Sequence, residues 1–128
     1  MEKKYDLEER LIKFAARIII FTNSLPSDFA GNHLRGQLIR SSCSPALNYG
    51  EAQGAESQKD FLHKMGICIK ELKESKNCLR ILEEIKYGDQ VQLIGLLKEA
   101  IELKSICGAI INKTREKNKV RNQGTSKP

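Results

Sequence analysis

Apolar residues recur along this chain at alternating steps of four and three. Leu7, Leu11, Phe14, Ile18, Phe21 and Leu25 open the series. That spacing lines one face of an α-helix and predicts a first helix over about 6–24. Ile12, Ala15 and Ile19 widen the apolar face. Leu25-Pro26 ends it, because a residue before proline is pushed out of helical geometry. Phe61, Met65, Cys68, Leu72, Ser75, Leu79 and Leu82 repeat the same steps and predict a helix over about 57–87. Ser57 with Asp60 supplies its capping pair, and Gly88 suits the left-handed position after it. Leu96, Ala100, Leu103, Cys107 and Ile110 carry a last helix over about 89–116, capped by Asp89. A second stripe of Ile94, Leu97 and Ile101 runs beside that seam. The second stripes on the first and last helices either broaden the core or form a subunit interface.

The segment between the first and third helices is patterned differently. Gln37, Ser41, Ser44, Asn48 and Glu51 step by 4, 3, 4 and 3, which lays a polar edge along a helix predicted over about 32–53. Ser27 is its candidate cap. Pro45 falls inside this helix and removes one backbone hydrogen bond, so a kink or brief interruption is expected near it. Gly50 and Gly54 allow a neighbouring backbone to come close. Four helices with short connections and no strand alternation predict an all-α fold. Its architecture is an antiparallel up-down-up-down four-helix bundle over residues 1–118, with Phe14, Leu72 and Leu103 inside.

Charge adds a distinction between body and tail. Residues 112–128 hold six Lys or Arg and one acid, Glu116, while residues 1–111 hold sixteen basic and fifteen acidic residues. The body is nearly neutral and the excess sits at the C-terminus. Lys113, Arg115, Lys117, Lys119 and Arg121 are therefore the candidate nucleic-acid contacts. Residues 119–128 are read as a disordered basic tail, for want of apolar content. The lysines and Arg80 of the third helix are diluted by Glu71, Glu74, Glu83 and Glu84, and read as a solvated face.

Reaction chemistry finds little to stand on. His33 and His63 are the only histidines, and neither has a second ligand at helical spacing. No phosphate-binding glycine loop is present. Ser44 shares one helical face with Glu51 and Arg40, whereas catalytic groups converge from several elements, and Cys43 beside the serines has no base nearby in sequence. The expectation is a non-enzymatic protein with no cofactor, metal or small-molecule substrate. Four cysteines without a CxxC pair are read as reduced thiols. With no apolar run long enough to span a bilayer, the expected location is cytoplasmic, away from the membrane.

The runs DLEERLIKFAARII, SLP, GNHLRGQLIRSSCSPALNYGEAQGAESQKDFLHKM and IKELKES resemble the bacterial four-helix bundle proteins encoded in intervening sequences of 23S rRNA genes. The resemblance covers about residues 6–111. It extends to the accessory variability determinant of diversity-generating retroelements. It implies a homopentameric ring without enzymatic activity, associated with RNA or a ribonucleoprotein. Its signature positions fall on Leu25, Pro26, Gln37, Leu38, Arg40, Ser41, Ser44, Asn48 and Glu51. Two roles stand open for the polar edge: a network that fixes helix order within the bundle, or ion pairs of Arg40 and Glu51 across subunits. Two functions also stand open: an RNA-associated scaffold, and a protein–protein adaptor with no nucleic-acid role.

Overall fold

The computed structural model describes the backbone of residues 6–125 and the side chains of 6–120. Four α-helices follow in order: α1 Leu7–Phe21, α2 Phe29–Gln53, α3 Gln58–Glu84 and α4 Gln90–Thr125. No strand occurs among the described residues. Each helix packs on the next in sequence, and α1 also meets α4. The α2–α3 pairs run in opposite chain directions: Glu51 with Lys64, Pro45 with Cys68, Ser41 with Ser75.

Each helix starts at a side-chain cap that accepts an otherwise orphaned backbone N–H. Asp6 accepts from Glu9 N, Asp28 from Gly31 N, Ser57 from Asp60 N, and Asp89 from Val91 and Gln92 N. The cap of α2 is thus Asp28, one residue after the candidate Ser27, and α2 begins at Phe29 instead of about 32. Phe29 and Ala30 are exposed, so no apolar period announces this first turn. The first helix also stops earlier than expected, at Phe21. Thr22–Ser24 tighten into a 3₁₀ turn, with Thr22 and Ser24 hydroxyls donating to the carbonyls of Ile19 and Phe21.

The apolar seams meet in one core. Phe14, Ile18, Phe21, Leu72, Leu79, Leu96 and Leu103 are all fully buried. Burying a Leu or Phe side chain contributes about 1.5–3 kcal/mol each, so this seam dominates the stability. α2 enters the core differently, through Leu38, Ser41, Ser42, Pro45 and Ala52. It remains one continuous helix across Pro45. The second stripes divide. Ala15 is buried and Leu97 packs on the core, while Ile12, Ile19, Ile94 and Ile101 stay 44–51% exposed.

One end of the bundle is tied by polar contacts. Arg35 donates to the carbonyls of Thr22 and Leu25, Tyr87 donates its hydroxyl to Asp28, and Asp89 N donates to Ser24 Oγ. The Tyr87 bond, then the Gly31 N–H, hold the Asp28 carboxyl below its usual range. α3 ends before Tyr87: Lys86 takes a left-handed φ of 59°, and Tyr87 N donates to Leu82 O at 2.9 Å. That position favours glycine, and a non-glycine residue there costs about 1 kcal/mol. Lys86→Gly is therefore expected to raise the unfolding free energy by about 0.5–1 kcal/mol, read as a higher urea midpoint.

The last helix differs most from the sequence expectation. α4 continues to Thr125, whereas the pattern ends near 116 and residues 119–128 are read as disordered. Low apolar content does not by itself make a segment non-helical. Lys113, Arg115, Glu116, Lys117, Lys119 and Arg121 are good helix formers, and extending an existing helix needs no new nucleus. Residues 126–128 lie outside the described residues.

Candidate functional site: the α2–α3 seam and the basic end of α4

The helical spacing of the polar edge brings its members to α3. Arg40 donates to Glu71 Oε1 at 3.0 Å, to Glu74, and to Gln37 Oε1 at 3.3 Å. Glu71 is the buried member, its side chain 11% exposed against 34% for Glu74 and 52% for Arg40. Buried carboxylates need a cation and hydrogen bonds to offset desolvation, and Arg40 brings both. One turn on, Ser41 Oγ lies 2.8 Å from Ser75 Oγ, both residues fully buried. Ser41 Oγ also lies 3.3 Å from Leu38 O, so either hydroxyl can donate in the shared bond.

The edge then moves outward. Asn48 Nδ2 donates to Ser44 Oγ at 2.9 Å and to Ser44 O at 3.0 Å. Glu51 accepts from Lys64 Nζ at 2.6 Å, the first cause raising the Lys64 pKa. Of the five edge residues and Arg40 beside them, Arg40, Ser41 and Glu51 thus reach α3, while Gln37, Ser44 and Asn48 bond within α2. The ion pairs of Arg40 and Glu51 close within one chain. Ser44, the candidate nucleophile, is held by Asn48 and bonds no basic side chain among the described residues. Glu71 and Ser75 belong to this seam equally: Ser75 stood in the 4/3 series of α3, while only the place of Glu71 beside Leu72 hinted at its role.

The thiols are mostly sequestered. Burial, then the nearness of Cys107, pushes Cys68 up to about 12, and burial pushes Cys107 up to about 11. Cys78 is also raised, by burial first and then by Glu74. Thiolates are the reactive form. Native protein at pH 8 is therefore expected to react with a thiol reagent at Cys43 alone, the one cysteine partly open to solvent. All four should react after unfolding, and rapid native labelling of Cys68 or Cys107 would contradict the packing. No group of three or more His, Cys, Asp or Glu able to hold a metal occurs among the described residues. No helix there is long and apolar enough to cross a membrane.

The basic end of α4 forms the second region. Lys113, Arg115, Lys117 and Lys119 are all exposed. The side chain of Arg121 lies outside the described residues. α1 begins three residues before Arg10, which bonds Glu99 and Glu102, so α4 runs on well past the start of α1. Lys117 and Thr114 line a cleft of about 540 Å³ with Ala52, Ser57, Gln58 and Phe61 at the α2–α3 connection. Beyond that level α4 has eight more residues, about 12 Å of helix.

Fold and seam together define a small four-helix bundle protein. The chain matches the family described as 23S rRNA-intervening sequence protein over residues 3–109, and it belongs to that family. Among solved structures it is similar to a protein with unknown function from the S23 ribosomal protein family of Bacteroides thetaiotaomicron. The two are 27% identical with a TM-score of 0.76, over 82% of this chain and 97% of that one. Comparison with the curated proteins finds no match.

Proposed function

We propose that this protein is a non-enzymatic, self-associating bundle of the cytoplasm that holds RNA or a ribonucleoprotein through phosphate contacts. The observation that carries this reading is the basic end of α4, where four exposed cations accompany one acid, Glu116, on a helix that outruns α1. Such an arm offers charge to phosphates without a pocket for a base. Self-association, as the ring of five that the resemblance implies, is supported by the exposed Ile12, Ile19, Ile94 and Ile101. Light scattering measures the mass, and RNA binding across a salt series measures the phosphate contribution. Affinity should fall steeply as salt rises; no binding at low salt rejects the RNA role.

The same isoleucines, with Leu47 at 66% exposed, favour a second reading as a protein–protein adaptor. A pull-down after nuclease treatment separates the two. An adaptor keeps its partners, and an RNA-held scaffold loses them.

A further inference from the structure

Two of the four acids that dilute the cations of α3 in the sequence leave their face in the fold, while Glu83 and Glu84, twelve and thirteen residues after Glu71, stay on it to either side of Arg80. Glu71 and Glu74 turn to α2 and are both taken by Arg40. Lys73 and Lys76 each follow one of these acids by two residues, about 200° around the helix, which carries them to the flank away from α2. Arg80 lies on the same flank, nine residues after Glu71. α4 borders this flank. Its α1-facing edge is marked by Glu99 and Glu102, bonded to Arg10. Lys104 follows Glu102 by two residues, placing it on the α3 side, while Lys98, one turn before Glu102, points outward and lines a cleft with Glu99 and Glu102.

The five cations also coincide in height. Lys76 stands eight residues before the end of α3, and Lys98 eight after the start of α4. Lys73, Arg80 and Lys104 fall within about two turns of that level. Lys73, Arg80 and Lys98 are exposed, while Lys76 and Lys104 are half-buried along their stems. None of the five has a carboxylate within ion-pair distance among the described residues, and Glu83 and Glu84 are the acids at the near end. Arg115 comes three turns beyond Lys104 and Lys119 one turn further, so the same side continues onto the basic end of α4.

We infer that the α3–α4 flank of the folded bundle, through Lys73, Lys76, Arg80, Lys98 and Lys104, is a phosphate-backbone docking surface for RNA, continuous with the arm. This deepens the RNA reading and rests on it. Flexible lysines beside Ile94 and Ile101, with no aromatic platform, suit the sugar–phosphate chain and not base edges, so binding is independent of sequence.

The test compares full-length wild type, the flank variant Lys73→Gln/Lys76→Gln/Lys98→Gln, and the control variant Lys13→Gln/Arg17→Gln/Lys59→Gln. The control removes the same charge from exposed sites elsewhere. Binding of a single-stranded RNA oligonucleotide is measured across a salt series, with circular dichroism for folding and light scattering for mass. Each lost phosphate contact lowers the slope of log affinity against log salt by about 0.7. The flank variant should lose about 2 from that slope, and at least tenfold in affinity at low salt, while the control loses far less. Equal losses in both variants, or none in the flank variant, overturn the inference while leaving the RNA reading intact. A flank variant that changes mass instead identifies an interface between copies and overturns it too. A wild type that binds no RNA at low salt removes both readings.

Discussion

Gly31→Ala is expected to destabilise the fold by about 2–4 kcal/mol and lower the melting temperature by roughly 10 °C. Gly31 is the third residue of α2 and is buried. A β-carbon there would stand 2.0 Å from the carbonyl oxygen of Pro26 and 3.0 Å from Asp28 Oδ1. The first of these is backbone, fixed by the turn that carries the chain from α1 into α2, so no side-chain rotation can relieve it. Moving the turn away would stretch the 2.7 Å bond from Gly31 N to Asp28, the cap of α2, at a further cost of about 1 kcal/mol. It would also disturb Asp28 as acceptor for Tyr87, the link to the α3–α4 connection. Gly36→Ala is the internal control. It lies in the same helix with nothing within 4 Å of its would-be β-carbon, and should stabilise by about 0.5–1 kcal/mol. Thermal unfolding of the two variants should move in opposite directions. A neutral Gly31→Ala would mean that the Pro26 carbonyl does not cross Gly31 as described.

The contrast between helices explains what the sequence made legible. α1 could be read because Leu7, Leu11, Phe14, Ile18 and Phe21 are large, apolar and in step, and every one is buried. α2 could be recognised as a helix but not oriented in detail. Its core face mixes Leu38, Tyr49 and Ala52 with Ser41, Ser42 and Pro45, so its apolar period is interrupted by serines and an imino residue. Its start was hidden because Phe29, a large apolar residue, is 88% exposed while the decisive contact is made by Asp28. The polar edge itself was visible as a spacing. What it touches depends on the register of α2 against α3, and no local pattern encodes that register. Glu71 shows the gap most clearly. It reads as one more surface acid until Arg40, 31 positions earlier, is seen beside it.

Arg40→Ala is the second large effect, expected to cost about 2–3 kcal/mol in urea or thermal unfolding. Arg40 itself is half exposed, so the loss does not come from its own burial. It comes from Glu71, whose carboxylate is left against the core side of the seam without its cation. Glu74, more open to water, contributes less. If that account is right, removing the acid along with the base should repair most of the damage. Arg40→Met/Glu71→Leu is therefore expected to regain all but about 1 kcal/mol, because an apolar pair of similar volume leaves nothing unsatisfied. Lys64→Ala breaks a pair whose acid, Glu51, is 61% exposed, and should change stability by less than about 0.5 kcal/mol. The ordering of the three variants is the test. A double variant as unstable as Arg40→Ala would show that the arginine acts by packing on α3, and that the carboxylate beneath it is not what needs it.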